Sequence, residues 1–199
     1  MSLPPVPYPN ENRHSEAKRV LGKILFWDEQ LSTDNSIACG SCHLPSRSGA
    51  DSRIGLEPGF DNILNTDDDI LGSQGVVFRN QFGQMQSHDI FKNNPQVTTR
   101  TAQGYFSGIW ALSNFWDGRA SSEFIDPQTK QIAILTGGAL ENQALGPLMS
   151  NVEMAKDGQT PEEVIAKLTQ AQPLALASNL PADIQAVLTD ETDYPQAIC

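Results

Sequence analysis

The spacing of apolar and polar residues near the start of the chain predicts an amphipathic helix over residues 15–27. Ser15 stands where it would cap the first turn. The apolar residues that recur at helical spacing are Ala17, Val20, Leu21, Ile24 and Leu25. A polar segment, residues 28–35, follows and leads directly to Cys39. We therefore expect this helix to pack beside whatever the cysteines hold.

The regular pattern is lost between residues 46 and 94, where Gly, Asp, Asn, Ser and Gln dominate. This composition predicts mostly loop, and so long a loop inside one domain needs an anchor such as a buried cofactor. The acidic run at 61–69 lacks the alternation and the Glu of an EF-hand loop, so we interpret it as a solvated loop rather than a calcium site.

Aromatic residues gather between Tyr105 and Trp116, and the others are Phe106, Trp110 and Phe115. Such a cluster suits the lining of a large flat apolar ligand, and it suits an ordinary aromatic core equally well. The sequence leaves both interpretations open.

Two more helices are predicted in the last quarter of the chain. Thr160 and Glu163 form a capping box, with Pro161 at the first helical position. The apolar residues expected on one face of this helix are Val164, Ile165 and Leu168. A second short helix is expected after Pro181, with Ile184, Val187 and Leu188 as its apolar residues.

Composition narrows the classes of partner. The 199 residues suit one domain, and 13 basic against 24 acidic residues give a net charge of -11. This charge repels nucleic acid and anionic lipid and attracts a positively charged redox protein, although acidity also serves solubility. No apolar run approaches the ~20 residues of a membrane span. The Pro-rich start lacks the segments of a signal peptide and looks like the trimmed terminus of an exported protein.

Cys39-Gly40-Ser41-Cys42-His43 matches the attachment pattern of c-type haem. Its two thiols add to the porphyrin vinyl groups, and the adjacent imidazole reaches the iron. A redox dithiol would follow a strand in an alternating fold, which is not seen, and zinc would need a second ligand pair. The remaining candidates, His14, His88 and the terminal Cys199, have no recognisable zinc spacing. We therefore predict one covalent haem.

The motif supplies one iron ligand, His43, and leaves the other iron face undecided between an open site and a sixth ligand. His88 lies in the loop-rich segment and is a candidate distal ligand, with Met85 as a soft alternative. An ordinary surface histidine is the more common case.

Three blocks resemble the di-haem cytochrome c peroxidase and MauG-like family. They are Leu21-Gly22-Lys23-Ile24-Leu25-Phe26, Phe115-Trp116-Asp117-Gly118-Arg119-Ala120, and Gln143-Ala144-Leu145-Gly146-Pro147 followed by Glu153-Met154. Their order and rough spacing agree with the family over residues 15–170. The resemblance implies a mainly α, cytochrome c-like domain with long loops around a covalent haem, which is the family's amino-terminal, peroxidatic domain. Residues 1–14 would form an extended arm and residues 15–199 the haem domain.

The resemblance also implies roles for individual residues. Glu153 would be the acid–base group at the distal face, with Gln143 as its companion. Cleavage of a peroxide bond needs a proton moved from one oxygen to the other, and a carboxylate can carry it. Trp116 would lie near the path towards a second haem, and Arg119 would pair either a haem propionate or Asp117.

Several features depart from the family pattern. Family members carry a second Cys-x-x-Cys-His motif in a carboxy-terminal domain that is not found here, so we expect a truncated di-haem protein or, alternatively, a single-haem relative. About seventeen extra residues lie between Ala120 and Gln143, and the loop after His43 is also longer. The family's calcium-binding asparagine is replaced by Thr101 after Arg100, which weakens the expectation of calcium.

The resulting expectation is a haem oxidoreductase that reduces hydrogen peroxide to water with electrons from a small cytochrome c or cupredoxin. The alternatives are a mono-haem electron-transfer cytochrome with a permanent sixth ligand and a MauG-like oxidase that modifies a protein side chain. Covalent haem attachment takes place outside the bacterial cytoplasm, so a periplasmic location is expected. The resemblance also leaves room for a homodimer.

Overall fold

The computed structural model describes residues 3–188, which form short helices and pairs of short strands. The described α-helices are α1 (Glu16–Trp27), α2 (Cys39–Cys42), α3 (Ala139–Met149), α4 (Pro161–Leu168) and α5 (Ala182–Gln185). The described strands are β1 (Gly55–Glu57), β2 (Ile70–Gly72), β3 (Gln74–Val77), β4 (Pro95–Val97), β5 (Phe124–Ile125) and β6 (Ile132–Ile134).

The expectation of a mainly α fold is wrong. Three two-stranded antiparallel pairs, β1–β2, β3–β4 and β5–β6, occupy the region between α2 and α3. This region lacks the apolar spacing of a helix and is rich in turn-forming residues, so its backbone groups pair in short hairpins instead. The long-loop part of the expectation fits the irregular segments that join these strands.

The helix predicted after Ser15 is confirmed. The Ser15 hydroxyl accepts a hydrogen bond from the Lys18 backbone N–H at 3.2 Å and so caps α1. Val20 and Ile24 are buried on its inner face against Leu174 and Ile184. This apolar cluster fixes α1 against α5 and against the segment that precedes α5.

The capping box of α4 is also confirmed, because the Thr160 side chain accepts from the Glu163 N–H and the Glu163 carboxylate accepts from the Thr160 N–H. Val164 is buried as expected, but Ile165 is 42% exposed. The short helix after Pro181 is present, with Ile184 buried and Val187 exposed. The terminal Cys199 lies outside the described residues.

Close backbone packing joins β3 to the segment that follows α3. The Val76 N–H donates to the Val152 carbonyl at 3.2 Å, and a Cβ at Gly75 would overlap that same carbonyl. The buried Gln96 side chain donates to the carbonyls of Val76 and Asn151. This packing brings Glu153 close to β3. The Cys42 thiol contacts the same strand, at the Gln74 carbonyl.

None of the helices between residues 3 and 188 is long and apolar enough to cross a membrane.

Candidate haem attachment site

The segment between α1 and the cysteine motif is organised by two buried polar side chains. Asp28 accepts from the backbone N–H groups of Gln30 and Leu174 at 2.9 and 2.7 Å. The Ser32 hydroxyl accepts from the N–H groups of Ser36 and Ile37, both at 3.0 Å. Because these backbone donors are satisfied internally, the segment between the end of α1 and Cys39 is held in one conformation.

Both motif cysteines lie on the single turn of α2. Ser41 begins this turn by accepting a hydrogen bond from the Ala38 N–H at 3.0 Å. Gly40, between the two thiols, is buried against Trp27, and an added Cβ would overlap the Trp27 ring. α2 therefore packs beside α1, as the sequence predicts.

The environment of both thiols disfavours the thiolate form. Burial raises the pKa of Cys39, and burial with the nearby Asp51 carboxylate raises the pKa of Cys42 to about 11. Redox dithiols and zinc sites both use thiolates, which this environment disfavours. The part of the chain that the structure describes also contains no group of three or more His, Cys, Asp or Glu side chains able to hold a metal ion. Thioether formation leaves the sulfur uncharged, which suits a buried site.

The imidazole of His43 is oriented by two backbone carbonyls. Its Nδ1 lies 2.8 Å from the Gly49 oxygen and 3.1 Å from the Gln103 oxygen. A carbonyl oxygen only accepts hydrogen bonds, so Nδ1 carries the proton and Nε2 keeps its lone pair. A haem-ligating histidine needs this tautomer, and the second bond holds the ring orientation. The residues fit a c-type haem bonded to Cys39 and Cys42 with His43 Nε2 as iron ligand.

A charged pair borders the same motif. The Arg53 guanidinium lies 3.6 Å from Cys42 Sγ and 3.3 Å from an Asp51 carboxylate oxygen. The Asp51 side chain is fully buried. Sequence analysis did not single out these two residues, because an Asp and an Arg in a polar loop are ordinary surface residues until the fold brings them to a cysteine.

Glu153 lies on the same side of the site. It is half-buried and close enough to Cys42 for its charge to raise the thiol pKa. Its backbone N–H is held by the Ser150 carbonyl at 3.1 Å, and among the described residues its carboxylate accepts no hydrogen bond. Gln143, on α3, is half-buried, and no hydrogen bond joins it to Glu153 within residues 3–188. The roles implied for both residues stay predictions.

Trp116 and Arg119 lie at the protein surface. Trp116 is 89% exposed. Arg119 pairs with Asp117 at 3.0 Å and stacks over the Phe115 ring at 3.7 Å. Within the described part of the chain, neither makes a hydrogen bond or ring contact with the cysteines or with His43. The cofactor-binding roles implied for them stay predictions, and Arg119 has Asp117 as its partner here.

The aromatic segment contributes one ring to the site. Tyr105 packs edge-on against His43 with ring centroids 6.0 Å apart. Phe106 is 61% exposed, and Trp110 donates from its indole N–H to the Pro5 carbonyl at 3.1 Å. The segment is therefore neither a complete ligand lining nor a buried aromatic core.

The candidate distal ligands are placed differently from each other. His88 Nδ1 accepts from the N–H groups of Ile90 and Phe91 at 3.1 and 3.4 Å, so in the neutral imidazole Nε2 carries the proton, which is the opposite tautomer to that of His43 and does not favour an iron ligand. Its ring packs between Phe78 and Phe91. Met85 is 57% exposed. No contact joins either residue to His43 in the described range, so His88 as distal ligand stays a prediction.

Comparison with known protein families shows to which family the chain belongs. The family model described as di-haem cytochrome c peroxidase matches residues 16–179, which is most of the chain. The chain belongs to the di-haem cytochrome c peroxidase family. The resemblance inferred from the three sequence blocks is thereby confirmed, and haem is the cofactor that this family name implies.

Individual members of the family match over different lengths. A cytochrome-c peroxidase of Pseudomonas sp. (strain SCT) is 59% identical over 44 residues, 22% of this chain and 12% of that protein. The cytochrome c peroxidase Ccp of Escherichia coli is 27% identical over 165 residues, 83% of this chain and 24% of that protein. The methylamine utilization protein MauG of Methylorubrum extorquens is 44% identical over 46 residues, 23% of this chain and 13% of that protein. The chain spans less than a third of the length of each of these relatives.

Proposed function

We propose that this chain holds one c-type haem through Cys39, Cys42 and His43 and takes part in the reduction of hydrogen peroxide to water. The observation that carries the proposal is the hydrogen bond from His43 Nδ1 to the Gly49 carbonyl, at 2.8 Å. It leaves the lone pair on Nε2 as a possible iron ligand, in the residue that follows Cys42. The cytochrome c peroxidases among the relatives support the peroxide chemistry.

The haem, when bound, supplies an iron that accepts electrons and coordinates peroxide. The chain's own part is to hold the ligand imidazole and to manage protons. The carbonyls of Gly49 and Gln103 polarise the Nδ1–H of His43, which makes Nε2 a stronger donor to iron. Because this one N–H is shared between two carbonyls on different segments, rotation of the ring is also restricted.

Glu153 is the residue we assign to proton transfer. Its carboxylate is half-buried and has no hydrogen-bond partner among the described residues, so its oxygens are available to a peroxide or water molecule. In the proposed role, one carboxylate oxygen takes the proton from the peroxide oxygen that stays bound and gives it to the oxygen that departs. Gln143 would orient peroxide or water beside it.

Electrons would come from a small redox protein, either a cytochrome c or a cupredoxin. The net charge of -11 favours a donor with a positive surface. Since c-type haem is attached outside the bacterial cytoplasm, we place the protein in the periplasm.

Glu153→Gln tests the proton-transfer role in the haem-loaded protein. We expect peroxide turnover to fall by ~10²-fold or more, because the amide cannot act as a general acid–base group. Glu162→Gln, on the exposed face of α4, is the control and should leave turnover unchanged. Unchanged turnover in Glu153→Gln would refute the assignment. A haem that is permanently six-coordinate and unreactive towards peroxide would instead favour an electron-transfer cytochrome.

A further inference from the structure

A continuous chain of aromatic rings connects the haem ligand to the protein surface. His43 packs against Tyr105 with ring centroids 6.0 Å apart, Tyr105 against Phe26 at 5.6 Å, and Phe26 against Trp27 at 5.1 Å. The three ring pairs all meet edge-on. At the outer end, the Trp27 side chain is 41% exposed and forms one wall of an open cleft of about 280 Å³.

Trp27 touches the attachment motif by a second contact. Its ring lies against Gly40, the residue that follows Cys39. The indole is therefore within one residue of a thiol that would be bonded to the haem, in addition to its connection through Phe26 and Tyr105. One surface side chain thus has two contacts that lead to the site.

The aromatic rings between His43 and the surface differ in how readily they lose an electron. Phenol and indole rings lose one electron far more readily than a phenyl ring, because a heteroatom lone pair is conjugated with each ring. Tyr105 and Trp27 are accordingly the residues that would be oxidised and reduced in turn, and Phe26 is a spacer between them. Because Trp27 is partly exposed, water is available to accept a proton that its indole releases.

We infer that Tyr105 and Trp27 form an electron path between His43 and the surface. This inference rests on the proposed function, in which peroxide is the oxidant. Each peroxide takes two electrons and two protons to give two water molecules. An electron leaves Tyr105, which is half-buried, towards the haem side while its phenol proton passes to water. Trp27 then reduces Tyr105, which takes a proton back from water, and Trp27 loses its own N–H proton to water. The redox protein finally reduces Trp27, which regains a proton. For each electron, one donor molecule is oxidised.

The most exposed tryptophan is the natural comparison for this path. Trp116 is 89% exposed, but it makes no ring contact with another aromatic side chain in the described part of the chain. If oxidising species in solution attacked tryptophans only according to exposure, Trp116 would be modified before Trp27. If electrons follow the ring contacts, Trp27 is oxidised first.

The test uses haem-loaded protein mixed with hydrogen peroxide without an electron donor. Freeze-quenched samples are measured by electron paramagnetic resonance, oxidised residues are located by peptide mass mapping, and peroxide consumption is followed in the same samples. We expect an indole radical and oxidation at Trp27, both lost in Trp27→Phe and Tyr105→Phe and both retained in Trp116→Phe. Trp27→Tyr keeps an oxidisable ring in place and should change the radical to a phenoxyl type.

The outcomes separate the electron path from the peroxidase function. Peroxide consumption with a radical or oxidation that survives Trp27→Phe and disappears in Trp116→Phe contradicts the path alone. The same holds for consumption with no oxidation at Trp27. Failure of the wild type to consume peroxide contradicts the proposed function and the path together. The visible spectrum of each variant verifies that the haem site is intact.

Discussion

The His43 imidazole donates its Nδ1–H to the carbonyl of Gly49 at 2.8 Å, and this bond sets which ring nitrogen faces a metal. The carbonyl is available because the chain turns back at Gly49, whose φ is +82°. The Gly49 N–H returns a hydrogen bond to the Leu44 carbonyl at 2.8 Å. The loop after the motif therefore positions the ligand that the motif supplies.

Gly49→Ala should weaken this arrangement. Alanine is strained at a positive φ, and a Cβ at this position would also overlap the Tyr105 ring. We expect a loss of about 1–3 kcal/mol in the free energy of unfolding, together with a shifted haem spectrum. Gly83→Ala is a matched control, because Gly83 has φ +75° and no neighbour within 4 Å of the added Cβ.

The control separates backbone strain from the effect on the site. Gly83→Ala should cost about 1 kcal/mol and leave the haem spectrum unchanged. Denaturant unfolding and visible absorption measure the two effects. Equal losses and unaltered spectra in both variants would show that the Gly49 turn does not position His43.

Asp28→Ala should destabilise the protein more than an ordinary surface substitution. The buried carboxylate accepts from the N–H groups of Gln30 and Leu174, and its removal leaves buried donors unpaired. We expect a loss of about 2–4 kcal/mol in urea unfolding. Asp126→Ala also removes an acceptor of two backbone N–H groups, but water can replace it at the surface, so its cost should be about 1 kcal/mol or less. Similar losses for both variants would contradict the importance of burial at Asp28.

We predict that the charge of the capping residue Glu163 makes the free energy of unfolding slightly dependent on pH. Its hydrogen bond with Lys156 lowers its pKa below the ordinary value of 4.5. The stabilisation is therefore present above pH 4.5 and is lost as the pH falls through the lower, folded-state pKa. Because the Glu163 side chain is 48% exposed and its charge is screened by water, we expect less than about 1 kcal/mol.

Glu163→Gln isolates this effect, because the amide oxygen still accepts from the Thr160 N–H while the charge is removed. The difference between wild type and variant should be present at pH 7 and should vanish at the acidic end of the titration. Urea unfolding between pH 3 and pH 7 measures it. In a Lys156→Gln background the pH-dependent part of the difference should shrink to what the Thr160 N–H contributes, and an undiminished difference would assign it to another group.

The sequence was most informative where the signal is local. Ser15 with the apolar spacing of α1, and the Thr160–Glu163 capping box of α4, depend on neighbours within a few residues, and both helices are present. The haem motif is likewise local. The mainly α fold, which the family resemblance implied, was wrong because short strand pairs form between α2 and α3, where the composition predicted mostly loop.

The contacts around the motif depend on residues distant along the chain. Gln103 reaches His43 across 60 residues, and Gln74 reaches Cys42 across 32. Asp51 and Arg53 are ordinary loop residues in sequence, and only the fold brings them to Cys42. No local pattern encodes such approaches, because they result from packing of β3, β4 and the loops between them.

The intact mass of the protein, produced together with c-type haem maturation machinery, tests the central claim most directly. We predict the mass of the polypeptide plus one haem, with the addition lost when Cys39 and Cys42 are both replaced by alanine. A mass equal to that of the bare polypeptide, in cells that mature another c-type cytochrome correctly, would contradict covalent haem attachment at this site.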